Sequence, residues 1–357
     1  MLTEDKKFFA NENQIIIALL AVICVVCIGF ILSVARSIVL PLALAVFLNY
    51  ILNPFIGLFE RLKIPSVIST LLAVLITFLV MVFLGIMISN SIESFAEELP
   101  KYEARINAIT QNTLKILNIP PEAFKSATGW TKDPQIAAVL GDLSITGIMS
   151  SILGSVTTFL ANFLLVLLFL LFILMGRNQL IHKLERAFEP NISKKVSGII
   201  LNINKEIQKY LIAKTLISLA TGLLAMLVLS LFGVQFALIW GVLTFLLNFI
   251  PNIGSVIATI LPLTIALIQF DKVIMVVWIA LCLTSIQMVV GNIIDPKVIG
   301  RSLNLSPIVV LFSLMFWGWL WGLIGMFLSV PIAVMIKIIF ENIKQLRFAS
   351  VLMSDNR

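Results

Sequence analysis

Asn248, Pro251, Asn252 and Gly254 fall within seven residues, Asn-Phe-Ile-Pro-Asn-Ile-Gly, set between apolar runs at 236–247 and 256–270. An asparagine amide both donates and accepts hydrogen bonds, so two of them at one break suit a neutral, polyhydroxylated molecule. Gln287, Asn292 and Asp295 follow in the next apolar run and at its end. The first two offer the same amide chemistry, while a carboxylate in or near a membrane could carry a coupling proton. Each has a plainer reading. Asn252 caps a half-helix, Asn292 bonds a neighbouring helix, or Asp295 is a loop partner for Lys297 or Arg301. Catalysis is not indicated: Gly-x-Ser-x-Gly, His-Glu-x-x-His and Gly-x-x-x-x-Gly-Lys are all missing from the sequence, so neither hydrolysis nor ATP-driven pumping has support. No cofactor or metal site is expected. His182 is the only histidine, and Cys24, Cys27 and Cys282 sit in apolar runs where cysteine acts as a small hydrophobe.

The elements that must position these residues are unusual. The two runs flanking the break have 12 and 15 residues, each short of the roughly 20 that a membrane-crossing helix needs. Between them stand a proline, which cannot donate a hydrogen bond, and a glycine, which needs no side-chain room, so a broken helix or helical hairpin within the membrane is expected. A second apolar stretch at 307–340 is too long for one straight span. It is interrupted by Gly318, Gly322, Gly325 and Pro331 and reads as a second hairpin, with Gly322, Gly325 and Pro331 as its hinge candidates. Broken elements leave backbone groups unpaired, which is tolerated only where protein or a water-filled cavity surrounds them. Paired interruptions therefore point to a transport site.

Composition fixes the solvent. The 357 residues are 60% hydrophobic and only 12% charged, with a mean hydropathy of +1.10, where a soluble domain carries about 25% charge. The expected fold is an all-α polytopic membrane protein with six to eight spans, two broken or re-entrant hairpins and a small extracytoplasmic helical insert. The net charge of +7 is explained by basic cytoplasmic loops and not by nucleic-acid binding. Residues 177–209 hold seven Lys/Arg against three Glu, whereas 91–146 hold five Lys/Arg against seven Asp/Glu.

The chain divides accordingly. Residues 1–90 supply three spans, at 15–34, 38–59 and 66–90; the second carries Pro41, Asn49, Asn53 and Pro54 and faces protein or a cavity. Residues 91–146 form the insert. There Ile92, Phe95, Leu99, Tyr102, Ile106, Ile109, Thr113 and Ile116 repeat every 3.5 residues, Pro100 marks a break or first turn, and Asp133-Pro134 opens a second helix. Residues 147–176 form a fourth span. Residues 177–209 are a cytoplasmic basic segment in which Val196, Ile199, Ile200, Ile203, Ile207 and Leu211 stripe a helix that lies in the interface or packs beneath the bundle. Residues 210–345 are the transport region: a fifth span carrying Gly222, which is expected away from the hairpin, then both hairpins. Lys337, Lys344 and Arg347 fall in the cytoplasm, and 346–357 form a cytoplasmic tail.

Pro251-Asn252-Ile253-Gly254, then Asp295-Pro296-Lys297-Val298-Ile299-Gly300, Leu305-Ser306-Pro307 and Gly322-x-x-Gly325-x(5)-Pro331, in this order and spacing, resemble the signature region of the autoinducer-2 exporter family, the PerM-like permeases. The likeness covers nearly the whole chain. It implies a multi-pass transporter of the bacterial inner (plasma) membrane, with both termini cytoplasmic, assembled as a homo-oligomer with a pentamer as the expected form. It also implies export of autoinducer-2 or a similar furanosyl or sugar-like compound, passive or ion-coupled, through a protein whose partners are a small-molecule substrate and the lipid bilayer. A sodium/proton antiporter of the same fold and a non-transporting membrane scaffold are the alternatives. The Trp317-Gly318-Trp319-Leu320-Trp321 cluster is bulkier than the family pattern.

Overall fold

The computed structural model describes residues 26–116, 162–176, 186–299 and 305–355, with a few isolated positions besides. These are helical almost throughout, and among them the one β-type contact is an isolated bridge between Leu305 and Ser354. A helix over 26–34 runs into α1 (Arg36–Arg61) with only Ala35 out of line, at ψ 12°. The expected loop between the first two spans is therefore a single-residue irregularity, across which Val39 N still donates to Ala35 O at 2.9 Å. Next come α2 (Ser66–Ile116), α3 (Asn162–Gly176) and α4 (Pro190–Leu231). The first hairpin is α5 (Ala237–Leu247) and α6 (Ile253–Gln269). It is followed by α7 (Val273–Val289), a π-turn at Val290–Ile294 and the short α8 (Asp295–Ile299). The second hairpin is α9 (Pro307–Trp321) and α10 (Leu323–Asn342), and α11 (Arg347–Met353) closes the chain.

Among the described residues five helical segments are long and apolar enough to cross a membrane: Arg36–Arg61, Ser66–Met87, Pro190–Leu231, Val273–Val298 and Leu323–Asn342. The chain is a multi-pass membrane protein. At 1.5 Å per residue the 11 residues of α5 reach about 16 Å, half of a hydrocarbon core of about 30 Å. The 20 residues of α10 reach about 30 Å, so the second arm of the second hairpin is a full span by length.

Two expectations about continuity change. The helix of α2 passes through Pro100 without a break and is 51 residues long. From Pro190 on, the basic segment is not a separate interfacial helix but the first half of α4, continuous with the fifth span over 42 residues. Its stripe is turned into the protein, with Ile207 and Leu211 buried. Lys337 is likewise buried, inside α10, 3.4 Å from Glu341. The side chains of the 3.5-residue stripe, the helix expected from Asp133 and His182 lie outside the described residues.

Packing builds two units. Ala45 and Ile56 of α1, Ala73 of α2 and Val166, Leu170 and Leu174 of α3 form one apolar cluster. The other is organised on α4. Its C-terminal turns, at Ala225 and Leu229, cluster with Ala266 of α6 and Val276 and Ile279 of α7, the open end of the first hairpin. Nearer its N-terminal half, Ile207, Tyr210 and Leu211 cluster with Val334 and Ile338 of α10. The two hairpins thus approach from opposite ends of α4 and meet between them.

Candidate functional site

The first tip is built by close backbone approach. A Cβ on Gly254 would lie 1.7 Å from the Leu247 carbonyl oxygen, so only glycine lets the start of α6 fold back onto the end of α5. Asn252 carries the reversal at φ 59° and ψ −52°, the centre of a tight γ-turn that Ile253 N closes by donating to Pro251 O at 2.6 Å. Ser255 Oγ donates to the Asn252 carbonyl at 2.9 Å. Pro251 is the third of four turn residues between Asn248, which caps α5, and Ile253. Gln269 holds the open end. Its side-chain oxygen accepts from Gln235 N at 3.0 Å and its amide donates to Gly233 O at 2.7 Å.

The second tip repeats the device with one residue. Gly322, at φ 66°, is the whole turn, and a Cβ on Gly325 would lie 1.9 Å from the Trp317 carbonyl. Ser313 Oγ ties the arms by donating to Ser329 O at 2.8 Å. Pro331 supplies no amide to the Phe327 carbonyl one turn back. Two of the three bulky tryptophans have structural partners: Trp321 is buried, its ring centroid is 4.7 Å from that of Trp317, and its Nε1 donates to Leu32 O at 3.2 Å, whereas Trp319 is exposed. Arg36 donates to the Trp321 carbonyl at 3.3 Å.

The hairpins touch. Phe249, in the first turn, has its ring centroid 4.4 Å from that of Phe327 in α10 and 6.2 Å from that of Phe47 in α1. Leu247, Ile250 and Ala258 of the first hairpin cluster with Leu314 of the second.

Beside this apolar plug runs a buried polar seam on α4. Lys214, Ser218 and Thr221 are all buried and spaced at i, i+4 and i+7, one helical face. Asn248 Nδ2 donates to Ser218 Oγ at 3.0 Å, which ties the first tip to the seam. One turn along, Lys214 Nζ lies 2.7 Å from Asp295 Oδ2, with the lysine side chain 6% exposed and the aspartate 23%. The π-turn before α8 inserts one residue into the helical register and brings Asp295 round to α4. The partner of Asp295 is therefore Lys214, not the exposed Lys297; Arg301 lies outside the described residues. Asn292 is exposed within the π-turn and Gln287 half-buried on α7, so the seam gathers Asn248 and Asp295 but neither of these amides.

Lys214, Ser218 and Thr221 carried no expectation from sequence. Gly222 adjoins them and is not away from the hairpin: a Cβ there would lie 2.6 Å from the Gly241 carbonyl on α5. Among the described residues no group of acidic, histidine or cysteine side chains could hold a metal ion.

A helical membrane protein with two hairpins meeting beside a buried polar seam has the build of a transporter. Comparison with known proteins agrees: the sequence model of the AI-2E family transporter matches residues 15–345, and the chain belongs to that family. It is 32% identical over 348 residues to the AI-2 transport protein TqsA of Escherichia coli, covering 97% of this chain and 96% of the relative. It is 31% identical to a provisionally named transport protein of Borreliella burgdorferi, over 89% of this chain and 85% of that one. Another from Haemophilus influenzae is 33% identical over 87% and 88%.

Proposed function

We propose that this protein moves a small, neutral, polyhydroxylated molecule of the furanosyl or sugar-like kind, autoinducer-2 among the candidates, across the bacterial inner membrane. The observation that carries the reading is the meeting of the two hairpins at Phe249 and Phe327 beside the seam of Asn248, Ser218 and Lys214. Hydroxyl and amide groups in a membrane interior are costly without partners, and a ligand with several hydroxyls supplies them. The printed name of the Escherichia coli relative supports autoinducer-2 in particular.

In this reading the hairpins are gates entering from opposite sides. Arg105 of α2 pairs with Asp271 of the turn between α6 and α7, which supports a reading in which the mouth of the first hairpin and this end of α2 share the extracytoplasmic side. The basic start of α4 and both termini then face the cytoplasm. The assembly is a homo-oligomer, with a pentamer expected.

Sodium/proton exchange is the second reading, favoured by the one observation that Asp295 is an ionisable group held inside the bundle. Uptake of labelled furanones and sugars into everted vesicles, with and without a pH gradient, tests both. Saturable uptake of a furanosyl compound supports the first reading. Sodium-driven proton movement with no organic flux replaces it with the second.

A further inference from the structure

The hydrogen-bond inventory of the Lys214–Asp295 pair does not close. Among the described residues Lys214 has one partner, Asp295 Oδ2 at 2.7 Å, for three N–H donors. Asp295 Oδ1 is buried and has none. Two charges taken out of water cost several kcal/mol each, and an apolar pair of the same volume would hold α4 and α8 together as well. An ionisable pair kept inside a membrane bundle with open donors and an open acceptor is the mark of a ligand site.

We propose that Lys214 and Asp295 bind vicinal hydroxyls of a small, neutral, polyhydroxylated molecule, one hydroxyl donating to Asp295 Oδ1 and its neighbour accepting from Lys214 Nζ. This rests on the transport reading above and gives that reading its contact residues. The rival occupant of Oδ1 is a monovalent cation. The ammonium already neutralises the carboxylate, and a cation at Oδ1 would face that ammonium within a few ångström, where like charges repel strongly in a low dielectric. A hydroxyl fills the open acceptor without adding charge. Tyr210 and Ser218, buried one turn to either side of Lys214 on the same face, continue a lining of hydroxyl groups.

Saturation-transfer NMR on the full chain in nanodiscs reads binding without requiring transport. The probes are cis-3,4-dihydroxytetrahydrofuran and its single-hydroxyl analogue, tetrahydrofuran-3-ol. The wild type should prefer the diol by at least about tenfold, the effect of one hydrogen bond to a charged group. Asp295→Asn and Lys214→Met should each abolish that preference. The double variant Lys214→Met with Asp295→Leu leaves no unpaired charge, so it separates binding from folding and should also show no preference. Where the double variant is not recovered folded, the shape-preserving Asp295→Asn carries the same decision. A diol preference that survives in these variants, or no preference in the wild type, overturns the proposal. Competitive displacement of the diol by sodium or lithium chloride overturns it too, in favour of a cation. Diol binding without diol flux in proteoliposomes keeps the site and removes the transport reading.

Discussion

Gly254→Ala puts one methyl group where the Leu247 carbonyl already stands. The added Cβ would lie 1.7 Å from that oxygen and 2.6 Å from its carbon, and real Cβ contacts essentially never fall under 3.0 Å. The difference, 3.0 minus 1.7, requires α5 and α6 to part by about 1.3 Å. Overpacking of this kind costs about 1–3 kcal/mol, and because the obstacle is backbone and not a flexible side chain, the upper value applies. At 1.4 kcal/mol per decade, about 3 kcal/mol lowers the folding equilibrium roughly 150-fold. Gly57→Ala is the control: nothing lies within 4 Å of its added Cβ, and alanine in a helix interior gains up to about 1 kcal/mol over glycine. Reversible unfolding in nanodiscs should place Gly254→Ala well below the wild type and Gly57→Ala at or above it. Surviving Gly254→Ala protein should also lose flux, because the tip that holds Asn248 against Ser218 has moved. Equal stability of the two variants, with full flux in Gly254→Ala, would refute the close-packed tip.

Other consequences are separable. Gly325→Ala, with its Cβ 1.9 Å from the Trp317 carbonyl, should cost a similar amount in the same unfolding assay. Phe249→Ala removes the ring joining the hairpins and should destabilise by about 3–5 kcal/mol while raising passive leak of a small hydroxylated probe; unchanged leak would make the ring packing alone. Lys214→Met leaves Asp295 unpaired and should cost about 3 kcal/mol, the low end for a broken buried pair because the carboxylate keeps 23% exposure. A cysteine replacing Lys272 should label from outside intact cells and one replacing Lys194 should not; the reverse pattern inverts the topology. Ile106→Asp with Ile109→Asp should shift solubilised protein toward monomer if the stripe joins protomers, measured by light scattering.

The hairpins were legible because their breaking residues are local. Pro251, Gly254 and Gly322 interrupt apolar runs in the sequence, and the structure turns at or beside each of them. The seam was not, because Lys214 stands inside the apolar stretch of α4 and its partner is 81 positions away. One signal was available: a lysine within a long apolar span asks for a counter-charge, and the later spans at 273–298 and 323–342 carry two carboxylates, Asp295 and Glu341, the second of which stands one turn from a lysine of its own, Lys337. The role of Gly222 was hidden for the same reason, since its neighbour Gly241 on α5 is brought close only by tertiary packing. Periodicity gave the buried stripe of α4 but not its continuity with the fifth span, because amphipathic and all-apolar halves look like two elements.

Counterflow of labelled cis-3,4-dihydroxytetrahydrofuran by reconstituted Asn248→Cys protein tests most directly whether the hairpin tips line the transport route. The background has Cys24, Cys27 and Cys282 replaced by serine, and flux is read before and after modification with a small hydrophilic thiol reagent. The site is buried at rest, so the account predicts modification that is slow without probe and faster during turnover, followed by at least a tenfold loss of flux. Complete modification with flux unchanged would contradict it, and the route would then lie outside the hairpins.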